Sequence, residues 1–153
     1  MILSRWPLRR VSVHFTKRGP HPTLLMGQVE APFGTFRVLN VHLPRPYKPE
    51  AEDSLHQLAQ VTRAAPQNPL IVTGDFNTAT GSFGLAAFTR GSGLIRHEGF
   101  TPTYPAQRPV PAIAGIDHVF ADQRWSGAGC RRLAPGGSDH HGVACALQLN
   151  RGR

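Results

Sequence analysis

Residues 71–80 read IVTGDFNTAT. The β-branched Ile71 and Val72 belong inside a strand, and Gly74 lets the backbone turn or approach another group closely. Asp75 and Asn77 flank Phe76 where that strand should leave its sheet. In layered α/β architectures this edge gathers catalytic and binding groups, because a rigid strand fixes a side chain that the following loop exposes. The stretch predicts a buried strand ending in a polar site.

The flanking segments supply the rest of a sheet. Arg10 to Phe15, Thr23 to Val29 and Thr35 to Leu43 alternate or run apolar, with breaks at Gly19-Pro20 and Pro32 to Gly34. They read as three antiparallel strands. From Pro49 to Ala65, the residues Ala51, Leu55, Leu58, Ala59 and Thr62 recur at helical spacing until Pro66 stops the run. This helix should cover the sheet. A short helix near Leu85 to Phe88, a Pro-rich loop from Thr101 to Pro111, and strands at Ile116 to Ala121 and Val143 to Leu149 complete the chain. Neither repeats nor low-complexity linkers interrupt it, so residues 1–150 form one domain, followed by a basic tail at 151–153.

A chain of 153 residues with this mix of apolar and charged side chains is a folded domain rather than a disordered one. No apolar run approaches the roughly 20 residues of a membrane helix. The opening MILSRWPLRR lacks the apolar stretch and small-residue site of a signal peptide. A soluble protein, cytoplasmic by default, is expected. Cys130 and Cys145 form no CxxC pair and sit in strand-like segments, so reduced core thiols are expected rather than a disulfide or a metal site.

The net charge of +8 favours an anionic partner such as nucleic acid, a phosphorylated metabolite or lipid headgroups. The placement of the few acids is more telling. Glu50, Glu52 and Asp53 follow Pro49, where a helix N-terminus welcomes negative charge. Asp75, Asp117 and Asp139 stand beside strand-like segments. Carboxylates there suggest a cation site or a histidine partner, although turns at strand ends also use Asp.

Three further stretches matter. LNVHLP places His42 at a strand end, on the face of Val38 and Asn40. GIDHVF puts Asp117 and His118 on opposite faces of a strand, because side chains alternate with a period of two. GGSDHHGV sets Asp139 and His140 just before the final strand. Ser138, Asp139 and His140 cannot form a serine-protease-like relay, since consecutive residues cannot supply its hydrogen bonds. Carboxylates, an amide and histidines at several strand ends of a basic protein fit hydrolysis of a phosphate ester. There a divalent cation neutralises the substrate's charge, and a group titrating near neutrality moves protons. Asp and Asn oxygens suit Mg²⁺ or Mn²⁺, and no HExxH pattern asks for zinc. A second carboxylate holding a histidine ring N–H would fix its tautomer, a role open to Asp117.

ILSRWP at 2–7, NVHL at 40–43, GDFN at 74–77, IDHVF at 116–120 and GSDH at 137–140 together, in this order, resemble the endonuclease/exonuclease/phosphatase superfamily, which includes pancreatic deoxyribonuclease. The resemblance implies an α+β sandwich of two packed mixed β-sheets flanked by helices, and cleavage of phosphoesters with Mg²⁺. It makes His42 a phosphate-contacting or proton-donating group, and Asp75 and Asn77 the residues that orient water and phosphate. His140 becomes the catalytic histidine, held by Asp117, and Asp139 a metal-side carboxylate with Asp75. His118 is expected to point into the fold and His141 to solvent. Tyr104, in FTPTYP, falls where substrate loops occur.

The resemblance covers only the C-terminal part of the family domain. The asparagine-bearing and glutamate-bearing strands of the family's metal site precede ILSRWP, so an N-terminally truncated domain is expected, nearly inactive and poorly soluble alone. Glu30 is then the first candidate for a substitute ligand. Two rivals stand beside this reading. A calcineurin-like metallophosphatase needs both a DxH and a GNH segment, and the chain does not contain the pair. A noncatalytic basic module binding nucleic acid or phospholipid would differ from an enzyme in failing to cleave a generic phosphodiester.

Overall fold

The structure, a computed structural model, describes residues 1–15, 22–64, 67–107, 109 and 111–150. The Gly19-Pro20 break, the Pro66 helix stop and the 151–153 tail lie outside the described residues. The elements are β1 (Leu8–Phe15), β2 (Pro22–Ala31), β3 (Gly34–His42), α1 (Ala51–Arg63), β4 (Leu70–Asp75), α2 (Phe83–Ser92), β5 (Ile95–Arg96), β6 (Asp117–Ala121), β7 (Trp125–Arg132) and β8 (Val143–Leu149). Among the described residues, six strands form one sheet in the order β1-β2-β3-β4-β6-β5, and β7 pairs with β8 in a second.

β1, β2 and β3 are antiparallel neighbours. β4 instead lies parallel to β3. Parallel neighbours need a crossover, and α1 supplies it. Alternation then sorts the side chains. Leu39, Val41, Val72 and Phe120 bury one face against Leu55, Leu58, Leu85 and Phe88 of the two helices. Phe36, Val38, Ile71 and Ala121 face the other way, toward Trp125, Leu147 and Leu149 of the β7–β8 ribbon. The result is an α+β sandwich whose second sheet is a two-stranded antiparallel ribbon.

α2 is longer than its sequence suggests. Gly84 and Gly91 are poor helix formers and blur its ends. The Ser82 hydroxyl nevertheless accepts the Leu85 N–H at 3.2 Å, and Gly93 closes the helix at φ 72°. β7, with Gly127 and Gly129 and little alternation of burial, reads in sequence only as a strand-like segment around Cys130, without definable ends.

Three expectations are corrected. Cys130 and Cys145 are bonded to each other rather than reduced. They are direct cross-strand partners in the ribbon, Cα atoms 4.1 Å apart, and both are only half-buried. Sequence spacing hid a contact that strand pairing creates. His141 does not point freely to solvent: its Nδ1 lies 2.9 Å from the Leu133 carbonyl and the residue is half-buried. Glu30 pairs with Thr35 at the far end of the β2–β3 hairpin and meets Arg9 at 3.6 Å, so the length of a strand separates it from the His42 end.

Candidate active site

Strand register builds one row of polar groups. His42 is paired with Asp75 across β3 and β4, and Asp75 with Asp117 across β4 and β6. Paired residues project from the same face. The row stands at one end of the sheet, on the face covered by the ribbon. His42 Nε2 is 3.7 Å from Asp75 Oδ2, the outer limit of an ion pair.

Gly74 makes the row possible. Its φ is 136°, and a Cβ there would fall on the Val41 carbonyl of the neighbouring strand. Only glycine lets β4 press against β3 immediately before Asp75. The chain then turns: Asp75 Oδ1 accepts the Asn77 N–H at 2.7 Å, with Asn77 in the left-handed region at φ 47°, a conformation that Asn tolerates. The Asn77 amide donates to the Leu43 carbonyl at 2.9 Å and to Asp75 Oδ2 at 3.0 Å. Both amide donations are therefore engaged within the fold, one of them on Asp75, and Oδ1 is the atom left to face a ligand or water.

His140 arrives from the β7–β8 loop. The 103–106 segment clamps that loop on both sides: the Ala106 N–H donates to the Asp139 carbonyl at 2.7 Å, and the His141 N–H to the Thr103 carbonyl at 2.8 Å. His140 Nδ1 then meets Asp117 Oδ2 at 2.8 Å, leaving Nε2 for chemistry. The Tyr104 ring packs on the imidazole with centroids 5.0 Å apart. Burial lowers the basicity of His140, but the Asp117 hydrogen bond and the charges of Asp117, Asp75 and Asp139 outweigh it, and its pKa rises above 6.5. Asp75 moves up from the usual carboxylate value because burial disfavours its charge, although the Asn77 N–H opposes that and Asp117 adds to it.

His42, Asp75, Asn77, Tyr104, Asp139 and His140 line one open cavity of about 530 Å³, with Asp117 behind His140. That is within the usual size of a small-molecule site. Asp75 and Asp139 offer the hard oxygens that Mg²⁺ prefers. Among the described residues, however, no three His, Cys, Asp or Glu side chains are placed to hold a metal ion together. The residues present do not make a metal cage.

Sequence reasoning missed Glu98. It is buried, with Oε1 2.7 Å from His118 Nδ1 and 3.4 Å from Arg96 Nε, and its Oε2 accepts the Val119 N–H at 2.9 Å. The inward-facing His118 sends Nε2 to the Thr78 carbonyl at 2.8 Å. This couple ties the turn after Asn77 to the strand that carries Asp117. HEGF at 97–100, lacking periodicity, held no sign of it.

The chain matches the endonuclease/exonuclease/phosphatase family over residues 1–140. No curated protein sequence matches it. Several solved structures share its fold. A mannosyl-6-phosphatase from Bacteroides thetaiotaomicron is 19% identical at a TM-score of 0.69, over 84% of this chain and 58% of that one. A family protein from Leptotrichia buccalis is 14% identical at 0.72, over 95% of this chain and 64% of that one. A β-hairpin deletion mutant of beta toxin from Staphylococcus aureus is 13% identical at 0.64, over 78% and 52%. The chain thus spans less than two thirds of the length of these proteins. With the match running over most of its length and the fold agreeing, the chain belongs to the endonuclease/exonuclease/phosphatase family.

Proposed function

We propose that the protein hydrolyses a phosphate ester, with His140 as the general acid or base and Asp117 as the group that orients and charges it. The carrying observation is the 2.8 Å contact between His140 Nδ1 and Asp117 Oδ2 at the wall of the cavity. A carboxylate on Nδ1 selects the tautomer that presents Nε2, and raises the proton affinity of the ring. Asp75, half-buried and held by Asn77, is proposed to orient attacking water. His42, exposed at the same edge, is proposed to contact the phosphate. Members of the family commonly use divalent metals, and Mg²⁺ or Mn²⁺ is the proposed cation, to which the Asp75 and Asp139 carboxylates would contribute oxygens. These two carboxylates alone do not make a cage.

Metal-supplemented turnover of phosphate esters, in the longest form of the protein that its gene encodes, tests the reading. His140→Ala should cost about 10²- to 10⁴-fold in rate, and Asp117→Ala should add little on that background. A double-mutant loss equal to the product of the single losses would show that the two residues act separately. Absence of turnover across mono- and diesters would refute the phosphoesterase.

A further inference from the structure

Two residues beyond His42 the chain carries PRPYKP, residues 44–49, between β3 and α1. Pro44, Pro46 and Pro49 restrict its φ angles, and the Lys48 N–H donates to the Arg45 carbonyl at 2.9 Å. The segment is stiff before any ligand arrives. It nevertheless presents polar and aromatic groups outward: Arg45 is exposed, and Tyr47 is 70% exposed. Both line the cavity that holds Asp75 and His140.

Neither group is spent on the fold. Among the described residues no carboxylate lies within ion-pair distance of Arg45, whose Nη1 reaches only the Tyr47 hydroxyl, at 3.4 Å. The Lys48 ammonium sits over one face of the Tyr47 ring, 5.5 Å from its centroid, and the exposure of the residue leaves room for a planar group on the other. Tyr104 cannot serve equally, since its ring already packs on His140. A guanidinium fork binds phosphate oxygens, and an immobilised aromatic ring stacks on a heterocycle at little entropic cost.

We propose that Arg45 and Tyr47 form a recognition subsite for a phosphate ester that carries a planar base, of the nucleotide kind, with the phosphate on Arg45 and the base on Tyr47. The subsite deepens the phosphoesterase reading of the same cavity and rests on it for the placement of the phosphate.

Calorimetric titration of the full chain in EDTA, with 5′-AMP, ribose 5-phosphate and inorganic phosphate as probes, tests it without requiring turnover. AMP should bind about tenfold more tightly than ribose 5-phosphate, within the range of base–aromatic stacking. Tyr47→Ala should abolish that preference while ribose 5-phosphate binds as before, and Tyr47→Phe should keep it. Arg45→Ala should weaken both sugar phosphates by the same factor. Equal affinity for AMP and ribose 5-phosphate, a preference that survives Tyr47→Ala, or no binding of any probe would overturn the subsite. Hydrolysis of esters without a base preference would sink the subsite and spare the phosphoesterase; a Tyr47-dependent preference without hydrolysis would do the reverse.

Discussion

His140 titrates between opposed influences: burial favours the neutral ring, and the Asp117 hydrogen bond with three nearby carboxylates favours the cation and prevails. The sign of the stability effect follows. A histidine whose folded pKa exceeds its unfolded value binds more protons when folded, so its contribution is fully present below the unfolded pKa and is lost as pH rises through the folded one. We expect NMR titration to find the His140 pKa above 6.5, and Asp117→Asn to lower it. The melting temperature of the parent chain should fall from pH 6 to pH 8 by more than that of Asp117→Asn. A His140 pKa unmoved by Asp117→Asn would sink the pairing. This histidine and its partner were legible in sequence because GSDH and IDHVF occur in family order; Glu98 was not, because its importance arises only when packing buries it against His118.

At the scale of elements, β4, β6 and α1 were readable from apolar pattern and punctuation, since each buries a regular face. The ribbon was not. Trp125 is the only residue of β7 that is buried, and a bulge between Gly127 and Cys130 breaks its register. A two-stranded ribbon is marginal by itself, and its Trp125 end gains the core contacts while the other end carries the loop of Asp139 and His140. The Cys130–Cys145 bond closes that other end, 15 residues apart in sequence, and brackets Asp139 and His140. A cross-link over such a loop stabilises by about 3 kcal/mol, chiefly through the unfolded chain. Cys130→Ser with Cys145→Ser should therefore lower unfolding free energy by roughly that amount and broaden the His140 resonances. A double variant as stable as its parent, with unchanged His140 signals, would show that the 103–106 clamp alone holds the loop.

Across the whole molecule, the carboxylates can be accounted for one by one. Glu30 meets Arg9, Asp122 binds Arg124, and Glu98 is buried on His118. Glu50 stands at the N-cap position of α1, its side chain making no capping hydrogen bond, and Glu52 and Asp53 occupy the first turn. Of the nine acids in a chain of net charge +8, that leaves Asp75, Asp117 and Asp139 near the cavity, and Asp117 is engaged by His140. Two carboxylates remain, one of them with a charge that burial already disfavours. Mg²⁺ dehydrates reluctantly and draws most of its protein affinity from fixed negative charge, so this chain should bind it weakly, with a dissociation constant on the order of 1 mM or above. Calorimetry, or the shift of the His140 resonances with added MgCl₂, measures it. Asp75→Asn should abolish what binding there is, and Glu30→Gln, at the far end of its hairpin, should leave it untouched. Micromolar binding by the unmodified chain, or sensitivity to Glu30→Gln, would show that the carboxylates gather in solution in a way this fold does not predict.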